Sequence, residues 1–584
     1  MVGAPNANTL FYGDNLDILR QYVADESVDL IYLDPPFNSN ATYNVLFKSP
    51  GGEHSTAQIE AFDDTWHWNT SAEQAFDEVV QSGNSYAANM LIAMRSFLGE
   101  NDMMAYLAMM AVRLIELHRV LKDTGSLYLH CDPTASHYLK IVLDAIFGKD
   151  RLLNEIIWRR TGSHSPRRSF GPIHDTILAY TKTNKYHFNV TRRPYMKGHV
   201  EGRYSQGADG RMRFTSGGNV LTGAETREGA SGKVWRGFDP TSKGRHWAVP
   251  SFYEELMPED YLALEADEKL EALYQAGLVE ITPGNAWPTM VRYLDERDGT
   301  PLTDLWAYQP YTDGDVWGRP KEGIDQDVAW MGPTDPDRLG YPTQKPVGLL
   351  ERVLQSSSNE GDVVLDPFCG CGTTIHAAQK LKRRWLGIDV THLAIGLIQR
   401  RLTDAFPMAT YDVVGVPKDH ASAAALALSD KYEFQKWALS MVEAQPYKGG
   451  KKGADGGVDG YIYFKPDGKK TEKAIVSVKG GAHVSDTMIK DLITTVDHEK
   501  AKLGVFITLT PPTKPMITRA VTAGFYKPEG EFAKLSGVNY PKIQILTIAD
   551  LFDGKRPHMP WIDATTFKKA KVEQGTKKQG TLDL

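Results

Sequence analysis

Two short segments carry residue types that can do chemistry. The first is residues 28–37, VDLIYLDPPF, an apolar run that ends in Asp34, Pro35, Pro36 and Phe37. Two prolines cannot continue a sheet interior, so the chain turns sharply at the carboxyl end of a strand. Ligands bind at that end in open α/β sheets. The Asp34 carboxylate and the Pro35 carbonyl can both accept hydrogen bonds from one –NH2 group, and Phe37 offers a flat face for stacking. An exocyclic amino group on adenine or cytosine is a poor nucleophile, because its lone pair is delocalised into the ring. Two acceptors on its hydrogens favour a more pyramidal nitrogen, and positioning against an electrophilic methyl supplies much of the rate. Taken alone, the tetrapeptide is equally an ordinary turn with a helix-capping Asp.

The second segment is residues 363–374, VVLDPFCGCGTT, an apolar strand, a glycine turn and a helix start. Gly370 and Gly372 let the backbone approach a ligand closely, and a helix N-terminus offers free N–H donors. It is not the dinucleotide fingerprint, which needs a third glycine, nor a P-loop, because no Lys-Ser/Thr follows. Asp389 ends the next apolar strand, where an acid can accept from two ribose hydroxyls. A cap for the helix 391–400 is the other reading of Asp389. Cys369 and Cys371 have no further Cys or His at metal-ligand spacing.

Strands that would position these segments are 9–12, 29–33, 126–130, 176–180, 362–365 and 384–388. Helices are expected at 102–121, 136–147, 346–355 and 373–380. The Met-rich helix 102–121 reads as core rather than a binding surface. The alternation points to an α/β fold. With 584 residues, at least two domains are expected. Three cysteines make no disulfide framework and fit a cytoplasmic setting. Neither a secretory signal nor an 18-residue apolar run is visible, so no membrane partner is expected.

The chain resembles the β class of DNA amino-methyltransferases, the adenine-N6/cytosine-N4 family, in which the amino-site tetrapeptide precedes the FxGxG cofactor motif (Phe368, Gly370, Gly372). Residues 12–16 (YGDNL) look like the motif whose Asp, here Asp14, approaches the adenosyl group. Residues 341–347 (YPTQKPV) look like the segment whose Thr343 and Lys345 line the methionine end, and residues 125–132 (GSLYLHCD) like a following sheet strand. The resemblance covers roughly 1–190 and 335–405. It implies a Rossmann-like sheet binding S-adenosylmethionine through Asp14, Thr343, Lys345, Asp366, Phe368, Gly370, Gly372 and Asp389, with Asp34, Pro35, Pro36 and Phe37 catalytic. Phe37 stands where Tyr is commoner, and stacking survives that change. Asp rather than Ser at position 34 favours adenine.

A net charge of −7 weakly disfavours a nucleic-acid partner. Its distribution does not: residues 151–250 hold 18 Lys+Arg against 7 Asp+Glu, and 251–300 hold 3 against 12. Arg159, Arg160, Arg167 and Arg168 are candidate phosphate contacts to duplex DNA whose target base is flipped out, and the acidic stretch is expected to face away. The irregular region 184–335 resembles in position a target-recognition region inserted between the catalytic part (1–183) and the cofactor part (336–410).

After a linker (411–430), residues 431–562 read as a second α/β unit, and 563–584 as a disordered tail. Asp459 stands at a strand entrance, and Ser477 and Lys479 share one face of the next strand. This looks like the Mrr-type, PD-(D/E)xK-like restriction-endonuclease fold, whose carboxylates hold Mg2+ and whose Lys assists the attacking water. Ser477 replaces the acid or Gln of that pattern, and Glu433 or Glu443 is the candidate second carboxylate. An active nuclease and a DNA-binding relic both stay open. So do a homodimer and a separate restriction or translocase subunit, since this chain has no P-loop motor of its own.

Overall fold

The computed structural model describes the chain except residues 1–6, 37–42, 46–58, 63–66, 163–167, 169, 217–220, 283, 285–286, 297–298, 333–334, 336, 340, 342, 448–456, 465, 467–470, 529–537, 561–569, 571–572 and 574–584. Two compact units result: 1–189 with 304–307 and 327–584, and 190–303 with 308–326.

The first unit holds a nine-stranded sheet. Its strand order is Leu305–Trp306, Leu152–Arg159, His174–Thr181, Leu121–Cys131, Val28–Leu33, Val363–Asp366, Arg384–Asp389, Thr9–Tyr12 and Asp412–Val414. All neighbours are parallel except His174–Thr181, which runs antiparallel to both of its partners. Apolar residues alternate across the sheet. Along Val28–Leu33, Leu30 and Tyr32 enter one buried cluster while Ile31 and Leu33 enter the other. Helices Asn15–Tyr22, Thr70–Gln81, Asp102–Val120 and Ser136–Phe147 feed the first face. Helices Val347–Ser357, Thr373–Lys380 and His392–Ala405 feed the second. Chain order departs in opposite directions from the adjacent strands Val28–Leu33 and Val363–Asp366, which makes their carboxyl ends a topological switch point.

The expected strands and helices all form, within a few residues except where Leu121–Cys131 starts earlier. Thr70–Gln81 and Ser85–Leu98 are additions. Each is capped by an Asn side chain, Asn69 on the Ala72 N–H and Asn84 on the Ala87 N–H. The stretch 411–430 is not a linker: Asp412–Val414 completes the sheet beside Thr9–Tyr12, and His420–Ser429 is a helix with an Asp419 capping box. Of the tail 563–584, only Ala570 and Glu573 lie among the described residues. Glu573 accepts from His376 Nε2 at 3.0 Å.

Also in the first unit, a five-stranded sheet runs Gln445–Pro446, Gly460–Phe464, Glu472–Lys479, Leu503–Thr508 and Ile543–Thr547. The first three strands pair antiparallel and the last three parallel. Helix Lys431–Met441 packs Phe434 and Trp437 against Val476 and Val478. Helix Asp486–His498 packs Ile489 and Leu492 against Ile475 on the opposite face.

The second unit has its own core, built on Trp235, Trp247, Tyr253, Leu270 and Met290, over a four-stranded antiparallel sheet. Residues 184–189 and 327–335 belong instead to the first unit.

Candidate functional site

A cavity of about 380 Å³ lies at the carboxyl ends of the central strands, a size suited to one small molecule. It brings together Asp14, Asp34, Pro35, Pro36, Thr343, Lys345, Asp366, Phe368, Gly370 and Asp389, which the sequence spreads over more than 370 positions. Phe37 lies outside the described residues. Gly372 is not among the lining residues. It takes φ +74° at the N-cap of helix Thr373–Lys380, and a Cβ there would stand 2.7 Å from the Ile398 side chain. Gly372 thus packs the helix, and Gly370 lines the cavity.

Asp389 is fully buried beside the glycine turn. One oxygen accepts from the Gly370 N–H at 2.9 Å; the other accepts from the Thr391 N–H and hydroxyl at 2.8 Å each. Thr391, not Asp389, is the cap of the following helix, accepting from the Ala394 N–H. A carboxylate has about four lone-pair sites, so capacity for a ligand hydroxyl survives. Burial pushes the Asp389 carboxyl up to about 6 and the Asp366 carboxyl up to about 7, the latter opposed by bonds from Thr374 and the Phe368 N–H.

Asp14 caps helix Asn15–Tyr22 and pairs with Arg113 at 2.8 Å. Arg113 is itself buried and also binds Asn15 Oδ1 at 2.6 Å. Sequence reasoning missed it. It is the one charged residue in the run 103–115, and that isolation was the available signal. Lys345 lines the cavity, and its ammonium sits on Asp34. Thus the segment expected at the methionine end reaches the amino site.

Of the arginines expected at DNA phosphates, Arg160 lines the cavity and pairs with Asp175 at 3.2 Å. Arg159 lies over the Trp330 ring at 5.0 Å. Arg168 is exposed, and Arg167 lies outside the described residues. Cys369 and Cys371 are buried thiols, and no metal-holding group of three occurs among the described residues.

In the C-terminal sheet, Asp459 Oδ2 accepts from Val478 N–H at 2.6 Å, Ser477 hydroxyl at 3.2 Å and Lys479 ammonium at 3.5 Å. Glu433 does not join them. Its helix covers the Val476/Val478 face, opposite the Ser477/Lys479 face, and its carboxylate meets Tyr12, His392 and Lys436 instead. Glu443 likewise pairs with Arg400 at 3.0 Å. Magnesium asks for several oxygen ligands. Among the described residues this face presents one carboxylate, Asp459, already held by three donors, so waters and a phosphate would have to supply the other magnesium ligands.

A cavity at the switch point, with a glycine turn and a buried acid on one side and an Asp-Pro-Pro turn on the other, defines an enzyme that sets a nucleoside-bearing ligand against an amino group. The comparisons agree: the chain belongs to the DNA methylase family, whose model matches residues 28–400. A restriction endonuclease family model matches residues 426–522. The chain is 28% identical over 410 residues to the type II methyltransferase M.EcaI of Enterobacter cloacae, covering 69% of this chain and 71% of that one. It is 26% identical over 385 residues to the StyLTI Mod subunit, a type III restriction-modification enzyme of Salmonella typhimurium, covering 64% and 50%. A Thermus thermophilus protein described as a putative DNA modification methylase, solved with S-adenosyl-L-methionine, aligns over 70% of this chain and all of that one, at 15% identity and TM-score 0.31. Among the described residues no helix is long and apolar enough to cross a membrane.

Proposed function

We propose that this chain is a site-specific DNA methyltransferase that transfers a methyl group from S-adenosylmethionine to adenine N6 in duplex DNA, within a restriction-modification system. One observation carries the reading: a single cavity joins the Asp34-Pro35 acceptors to the Gly370–Asp389 turn. The residues fit the cofactor. Asp389 would take the ribose hydroxyls, Gly370 the close approach and Asp14 the adenosyl side, with Thr343 and Lys345 nearest the reacting end. S-adenosylmethionine supplies an electrophilic methyl on a sulfonium sulfur. Asp34 and the Pro35 carbonyl accept the amino hydrogens and aim the nitrogen lone pair at that methyl. With the cofactor bound, its methyl would pass from sulfur to that nitrogen, and Asp34 would accept the proton the amino group gives up.

Incubation with DNA and labelled S-adenosylmethionine tests it. Label is expected on adenine; label only on cytosine, or none in DNA, would sink the reading. Asp34→Ala is expected to lower transfer at least about 100-fold while cofactor binding, followed by calorimetry, stays near wild type. The C-terminal domain is read as a DNA-contacting partner of this activity. Mg2+-dependent cleavage of unmethylated DNA that disappears in Lys479→Ala would instead make the chain a single-chain restriction-modification enzyme.

A further inference from the structure

Behind the amino site runs a buried polar chain that the mechanism above does not use. Tyr32, on the strand that ends one residue before Asp34, sits 2.8 Å from His130 Nδ1. His130 Nε2 sits 3.1 Å from Asp175 Oδ2, and Asp175 Oδ1 is 3.2 Å from Arg160 Nη1. With Nε2 protonated, Tyr32 donates to the ring and the ring donates to the carboxylate. The chain crosses one edge of four adjacent strands, at the carboxyl ends of Val28–Leu33, Leu121–Cys131 and Leu152–Arg159 and the amino end of the antiparallel His174–Thr181. Buried polar pairs of this kind are weak contributors to net stability, so a merely structural role leaves their placement unexplained.

The chain has a direction. Side-chain exposure is 0% at His130, 3% at Asp175 and 36% at Arg160. The Asp34 carboxylate, 17% exposed, lies in the same cavity as Asp175 and Arg160. A nucleotide that enters base first leaves its phosphate at the outer rim, where the partly exposed guanidinium stands. A guanidinium carries five donors in a rigid fork suited to a phosphate, and a carboxylate on one arm fixes the direction of the rest.

We propose that Arg160 binds the phosphate of the target nucleotide at the mouth of the amino site, and that Tyr32, His130 and Asp175 are positioning residues that aim it. This rests on the methyltransferase reading but is measured separately from it. The experiment compares wild type, Arg160→Gln, Arg160→Lys and Asp175→Asn on a duplex carrying the modified site, and on the same duplex with an abasic target nucleotide. For Arg160→Gln the slope of log affinity against log salt is expected to fall by about one phosphate contact on both duplexes. Arg160→Lys keeps the slope. Asp175→Asn keeps it too but lowers kcat at saturating DNA roughly tenfold. Wild-type cofactor titration by each variant shows that the fold is intact. An unchanged slope in Arg160→Gln overturns the proposal, as does an affinity loss confined to the base-containing duplex, which would make Arg160 a base reader. Absence of labelled methyl in wild-type product would sink the methyltransferase reading alone, because the salt slope is read by binding.

Discussion

Asp389 shows how one buried side chain links protonation to ligand binding. Burial raises its carboxyl to about 6 and that of Asp366 to about 7, so the folded chain keeps protons that the unfolded chain has released above about pH 4. Both groups therefore cost stability as pH rises through that window. A ligand that donates hydroxyls to Asp389 and carries a positive sulfonium favours the ionised form. Binding of S-adenosylmethionine is expected to tighten as pH rises through 6. Asp389→Asn is expected to weaken it about tenfold or more and to flatten that dependence; calorimetric titration from pH 5 to 8 checks it, and equal pH slopes in both proteins would refute it. Residues of this kind were legible in the sequence because their chemistry sits in contiguous segments. Tyr32, Arg113, Trp158 and Asp175 were not assigned to the site, because each reaches the cavity from a different strand or helix. Only the fold sets their neighbours.

Elements were legible where periodicity was strong and missed where side-chain caps define them. The apolar strands around the switch point form as expected, but Thr70–Gln81 and Ser85–Leu98 depend on Asn69 and Asn84, whose meaning is positional. The glycine turn and the FxGxG pattern point Gly372 toward ligand approach; its conformation also gives it a part in helix packing. At φ +74°, with a Cβ aimed into Ile398, Gly372→Ala is expected to cost about 1–3 kcal/mol. Adding Ile398→Ala removes the steric part and leaves the backbone part, so the double variant should melt above the sum of the two single losses. Strictly additive melting shifts would show that the two side chains do not compete for that space. Face assignment explains Glu433 in the same way: its residue type suited a metal site, but its helix covers the wrong side of the strand.

At the scale of the molecule, charge and connection both change meaning. Within the second unit the acidic stretch meets the basic one: Arg211 pairs with Asp295, Arg213 with Glu280, Lys233 with Asp267 and Arg236 with Glu271. Part of the excess of cations counted from 151 to 250 is therefore neutralised inside the fold, which residue counts along a chain cannot reveal. Glu433 connects the cavity to the C-terminal domain. Tyr12, which donates to it, ends the strand before Asp14, and His392, which stacks on the Tyr12 ring at 3.8 Å, follows Asp389 by three residues. The two loops that line the cavity thus also hold the first helix of the endonuclease-like domain. The His392 ring 3.5 Å away, with Lys436 and Tyr12 adding to it against the cost of burial, keeps the Glu433 carboxyl well below the usual range. A depressed carboxylate contributes stability that is present above its unfolded value of about 4.3 and is lost as pH falls toward its folded value. The melting difference between wild type and Glu433→Gln is therefore expected to be full at pH 6–7 and to shrink steadily below about pH 4. Protease cutting in the 415–419 segment should rise in parallel, at neutral pH in the variant and only on acidification in wild type. A melting difference that stays constant from pH 7 to 3 would show that the Glu433 charge does not hold this junction.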